Sequence, residues 1–254
     1  MRNWPCLFRK AALIQKRRPN ITTIITMTIN AIELKPIELV KLMHLCSVSL
    51  PVGAYSFSQG MEYAIDAGWV QSPDQVHDWL ECQLLFNLAR VDLPLLARSM
   101  QALNRNDLAL LAHWNDFLIA CRETRELRLT DLAMGEALQR LLPTLGVDPL
   151  FAKREPASFV TLFAVACAQW HISQEGACLG FAWAWLENQV AAATKLVPLG
   201  QTQAQALVAK LQPVLPDAVL LSSQVNDDQL GSCLPGLALA SALHETQYSR
   251  LFRS

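Results

Sequence analysis

An all-α fold, a single helical-bundle domain of about ten helices, is what this sequence predicts. Three observations carry that expectation. Apolar residues recur at spacings of three and four, and no segment shows the alternation of a half-buried strand. Ser, Pro and Gly fall where helices should start and stop. From residue 157 to residue 243 only seven of 87 residues are charged, so several helices there have no polar face.

The elements follow in order. Pro36 opens an amphipathic helix through Leu39, Leu42, Met43 and Cys46, and a loop follows over 47–56. A second helix is expected over 57–67, stopped by Gly68. Ser72-Pro73-Asp74-Gln75 reads as N-cap, N1 and N3 of a helix running towards Arg90, with Pro94 near the start of the next. Two helices are expected over 106–121 and 122–142, the second stopped by Pro143 and Gly146. On its inward stripe lie Thr124, Leu127, Met134 and Leu138. Further helices cover 157–171, 174–195, 201–212 and 216–225, and a loop over 227–236 leads into the last segment.

Charge divides the chain. Residues 1–34 carry a net +5, and the remaining 220 carry 15 basic and 21 acidic side chains, a net −6. The bundle is thus mildly acidic, which argues against a nucleic-acid partner. The basic opening lacks a continuous apolar stretch and a cleavage site, so no secretory signal is expected; residues 1–34 read as a disordered or non-native extension, with Met27 as an alternative start. The longest uncharged runs of the second half contain Gln and His or are too short for a span, so no membrane is expected. Seven cysteines lie no closer than eleven positions apart, an unpatterned set that reads as reduced thiols in a cytoplasmic protein. Stretches such as 176–186 are apolar on every side. They belong at the centre of a bundle or under another chain, and a homodimer, a second partner or both are expected.

Patterns of catalysis are missing. No Gly-Lys dipeptide occurs, which excludes a Walker A loop, and no His-x-x-x-His pair offers a zinc site. Ser56-Phe-Ser-Gln-Gly60 lacks the first Gly of a nucleophile elbow and the strand before it. No catalytic residue and no cofactor are assigned. Cys233 and His244 are both able to ligate nickel, and two such ligands make at most a weak, transient site.

Four blocks stand out instead. Leu50-Pro-Val-Gly-Ala-Tyr-Ser-Phe-Ser-Gln-Gly-Met-Glu62 either lines a pocket or turns a corner. Within Arg122-Glu-Thr-Arg-Glu-Leu-Arg128, Glu123 meets Glu126 and Arg125 meets Arg128 at helical spacing, so the charges are not explained by pairing on their own helix. They form a solvated face, or else a buried inter-helix network or a partner-facing patch. Lys195-Leu-Val-Pro-Leu-Gly-Gln201 places a cation at a helix end, where it offsets the dipole. The last eleven residues, His244 to Ser254, mix aromatic, guanidinium and apolar groups, the composition of an interface hot spot. They dock on a partner or fold back over the core.

In these four blocks, and in their order over residues 36–254, the chain resembles the UreF family of urease accessory proteins. The resemblance implies an all-α, dimeric, non-enzymatic assembly factor that binds UreD/UreH, recruits the nickel-carrying GTPase UreG to apo-urease and supports nickel insertion. It implies a likeness to a GTPase-activating protein and to a gate or conduit for nickel, and a C-terminal tail, 235–254, that becomes ordered on UreD/UreH. By the same resemblance Tyr55, Ser56 and Glu62 belong to a partner-facing or tunnel-side loop. Arg122, Glu123, Arg125, Glu126 and Arg128 hold the helices around it, and Lys195 and Gln201 mark a helix end near the recruitment surface. His244, Glu245, Thr246, Gln247, Tyr248 and Arg250 form the docking tail. The chain departs from the family at Tyr55-Ser56-Phe57, where Phe-Ser-Tyr is usual, and at Gln203-Ala-Gln-Ala206, which lacks the usual Gly and Arg. A helical-bundle enzyme using Tyr55, Glu62 and Arg125 is the alternative class, distinguished by turnover of a small molecule by the isolated chain.

Overall fold

The computed structural model describes residues 34–151, 155–231 and 234–254. The extension expected over residues 1–34 lies, but for Leu34, outside the described residues, as does Cys233. The described part is helical and contains no strand. Its helices are α1 (Pro36–Leu45), α2 (Met61–Asp66), α3 (Pro73–Gln83), α4 (Asp92–Asn104), α5 (Leu108–Ala120) and α6 (Arg125–Leu141). There follow α7 (Phe159–Gln169), α8 (Gln174–Leu196), α9 (Gln201–Leu211), α10 (Val214–Ser223) and α11 (Pro235–His244). None of them is long and apolar enough to cross a membrane.

Capping sets many of these boundaries. Ser72, Asp107, Thr124, Ser158 and Ser173 each accept a backbone N–H from two or three residues on, contacts worth about 1 kcal/mol apiece. The helices without a polar face take the centre. In α7 every residue from Val160 to Cys167 is buried, and the helix packs on α4, α5, α6 and α8. Phe159, Phe163 and Phe181 join α7 to α8 through ring contacts of 5.3–6.2 Å. In turn, α8 packs on α4, α9 and α10. These apolar helices are therefore covered within the chain itself.

Three boundaries differ from expectation, and the first two shape the site. The helix expected from residue 57 begins only at Met61, because Phe57 is extended and Gln59 and Gly60 are left-handed (φ 52° and 81°). Gly60 is required there: a Cβ would lie 3.0 Å from the backbone nitrogen of Ser241 and 3.3 Å from the Cβ of Ala240, where α11 crosses. The helix expected from residue 122 begins at Arg125. Thr124 is its N-cap rather than part of its inward stripe, accepting the Leu127 N–H (3.1 Å) and bonding the Ser241 hydroxyl (2.7 Å). After α3 the chain widens into a π-helical turn, Leu84–Leu88, instead of running on towards Arg90 as an α-helix.

Gly135 lets α6 lie against the chain entering α7, since a Cβ there would stand 2.0 Å from the Ala157 carbonyl oxygen. Gly135→Ala is expected to destabilise the fold by about 1–3 kcal/mol through overpacking, read as a lower urea midpoint. An unchanged midpoint would mean that the segment before α7 yields freely.

The cysteines also report on packing. Burial pushes the Cys46 and Cys178 thiols up to about 12 and Cys82 up to about 11, from an ordinary 9.0. Between about pH 9 and 12 the unfolded chain gives up protons that the folded chain keeps, so these thiols lower stability as pH rises through that window. Denaturant midpoints should fall from pH 8 to pH 10, and Cys178→Ala should flatten the fall; an equal fall in that variant would assign the loss to other groups.

Candidate functional site

Three helix ends meet where the chain finishes. Glu62 and Glu126 sit in the first turns of α2 and α6, where a carboxylate is favoured, and His244 sits in the last turn of α11, where a cation is favoured. Because α11 packs on both α2 and α6, the three side chains converge, and His244 is completely buried. Its Nε2 lies 3.0 Å from Glu62 Oε2 and its Nδ1 lies 2.8 Å from Glu126 Oε2. Each ring nitrogen thus faces one buried carboxylate. Arg250 adds a donor to Glu126 Oε1 at 3.0 Å.

Glu62 does more than pair with His244. It accepts the backbone N–H of Leu251 (2.6 Å) and of Phe252 (2.9 Å), so one buried carboxylate ties down the returning chain. Beyond it, the Ser254 carbonyl oxygen accepts from the Ser58 N–H (2.5 Å), the Ser58 hydroxyl (2.9 Å) and the Gln59 N–H (3.1 Å). Two successive N–H groups thus meet one oxygen. Arg253 N–H donates to the Ser56 carbonyl (2.9 Å), and the Thr130 and Ser254 hydroxyls are 2.5 Å apart. The final segment is thus hydrogen-bonded to its own chain. Phe252 is buried; Tyr248 is fully exposed and Leu251 is 65% exposed.

The charged block beginning at Arg122 divides between interior and surface. Arg122 donates to Asp92 (2.6 Å) and Asp131 (3.1 Å). Burial works against its charge, but Asp131 and Asp92 outweigh that and hold its pKa above the ordinary guanidinium value. Asp131 also accepts the Ser158 hydroxyl (2.9 Å) and the Phe159 N–H (3.0 Å), which fastens the start of α7, while Asn115 binds the same turn through Ser158 N–H and the Pro156 carbonyl. For Arg122 and Glu126 the buried inter-helix arrangement is the one realised. Glu123, Arg125 and Arg128 are exposed, and none makes an ion pair among the described residues.

The other residues singled out in the sequence lie around this core. Tyr55 is 61% exposed on a 3-10 turn, with Lys195 Nζ 5.8 Å from its ring centroid and 5.5 Å from that of Phe252. The loop and the end of α8 are therefore joined to the tail. Gln201 and Thr246 are exposed, and Glu245 and Gln247 are partly so. Both ring nitrogens of His244 are engaged, so neither is open to a metal. Both oxygens of Glu62 are engaged as well, which removes the free acceptor that the Tyr55/Glu62/Arg125 enzyme alternative requires. Asp92, Asp131, Asn115 and Ser158 were not singled out. Asp131 had a signal: an acid between Leu127 and Met134 on the inward stripe of α6. On α3, His77, Asp78 and Glu81 offer ligand atoms within 4.8 Å of one another, in an exposed setting.

Residues 70–212 match the family model described as UreF. The chain is 55% identical over 229 residues to a protein of Marinomonas sp. strain MWYL1 called urease accessory protein UreF, covering 90% of this chain and 99% of that one. Proteins of the same name from Hahella chejuensis and Chromohalobacter salexigens are 48% and 51% identical, over 222 and 220 residues. Each alignment covers 86% of this chain, and 99% and 96% of the respective relative.

Proposed function

The chain belongs to the UreF family of urease accessory proteins, and on that premise we propose that it binds UreD/UreH, recruits the GTPase UreG to apo-urease and so supports nickel insertion. It is an assembly factor rather than an enzyme. Residues 35–254 are the working unit, 235–254 its docking element, and the setting is the cytoplasm. One observation carries the reading. Tyr248, Arg250 and Leu251 face solvent on a segment whose backbone is fixed by Glu62 and by the Ser58–Gln59 turn. Such a surface binds at a low entropic penalty, because the ordering has been done in folding. Ile37, Val40 and Met43, exposed on α1, supply an apolar face suited to the homodimer.

Tyr248→Ala with Leu251→Asp tests the docking role, since both side chains are exposed and their loss leaves the cluster intact. The doubly substituted chain should keep its denaturant midpoint and lose co-purification with UreD/UreH. Undiminished co-purification would remove the tail from the interface. Arg125, exposed at the start of α6, separates recruiter from activator. In a recruiter Arg125→Ala loses UreG from the complex, whereas for an inserted arginine the complex survives and GTP hydrolysis drops by about 10³–10⁵.

A further inference from the structure

A cavity of about 100 Å³ opens beside Arg122. Its walls are mostly apolar, from α1, the loop after it, α6 and α8, and four charged side chains line it: Asp92, Arg122, Glu123 and Asp131. Three carboxylates against one guanidinium leave the lining at a net −2. Glu123 stands exposed at the rim and has no ion-pair partner among the described residues. The almost wholly buried Gln189 lines the same space, and its Oε1 has no hydrogen-bond partner, so the wall holds an acceptor with no donor. Asn87 and Leu88, from the π-helical turn, complete that side; such turns recur at functional sites.

We propose that this cavity receives a single basic side chain, arginine or lysine, from a polypeptide partner, its aliphatic stem against the apolar walls and its cationic head at Glu123. The size argues for one side chain, since small-molecule sites run to about 300–1,000 Å³. A metal ion fits poorly. Both oxygens of Asp131 and Oδ1 of Asp92 are already bonded, leaving one free carboxylate where a hard cation gathers about six oxygens. Val48, exposed at the rim, continues the apolar surface outward as a landing for the partner's backbone. The inference rests on the accessory-complex reading only for the identity of the partner.

The first arm of the test needs no partner. The full chain is titrated with n-butylguanidinium, and separately with 1-pentanol, a neutral molecule of similar shape. The signal followed is the Trp185 indole N–H, which lines the cavity and donates to Gln59 at 2.9 Å. The guanidinium should shift that resonance, the alcohol should bind more weakly, and Glu123→Gln should weaken the guanidinium about fivefold. Equal binding of both probes, or no response to Glu123→Gln, overturns the cation site. In the second arm, Glu123→Lys should weaken assembly with the accessory partners by about tenfold or more, since it sets a like charge against the incoming head. Wild-type affinity in that variant overturns the partner's use of the cavity. A wild-type chain that binds the guanidinium but assembles with no urease accessory protein fails the accessory-complex reading while leaving the cation site in place.

Discussion

Glu62→Ala is expected to destabilise the chain by about 3–5 kcal/mol, because it leaves His244 buried against one carboxylate and takes the acceptor from two backbone N–H groups. The loss should be uneven. Amide exchange at Leu251 and Phe252 should accelerate well beyond that of the α7 core, since those two N–H groups lose the acceptor that Glu62 gives them. Glu62→Gln keeps the shape and one acceptor oxygen, and should fall between wild type and Ala at about 1–3 kcal/mol. If the variant docks normally on UreD/UreH while its tail exchanges freely, a preformed tail is not what the partner recognises. An unchanged denaturant midpoint in Glu62→Ala would show that the cluster does not hold the tail.

Arg122→Met should be of similar size, about 3–5 kcal/mol, and for a different reason. The side chain shape is roughly kept, but Asp92 and Asp131 are left buried without their cation. Replacing all three together by apolar residues should recover much of the loss, as expected of a buried ion network exchanged for packing. A triple replacement that recovers nothing would place the damage in the packing around residue 122 rather than in the uncompensated charges. Because Asp131 also fastens Ser158 and Phe159, proteolytic opening should appear first at the start of α7.

The sequence by itself determined the helical class, the cap at Ser72, the need of the uncharged helices for cover, and the family. These are local or compositional facts. Periodicity, capping residues and a missing polar face leave their mark on a few successive positions, and the four blocks carry the family in their order. What only the tertiary structure decided is which charges meet. Arg122 stands three residues before α6, yet its partners are 30 positions back and nine ahead. His244 joins carboxylates 182 and 118 residues away. Helical spacing describes neighbours along one axis, and these pairs arise where different helices cross. The tail shows the same division. Its mixture of aromatic, cationic and apolar residues could be read directly, but not that Phe252 turns inward while Tyr248 and Leu251 turn outward. That division follows from Glu62, a single buried carboxylate placed by the crossing of α2 with α11, whose oxygens meet two successive backbone N–H groups and set which side of the tail faces the core.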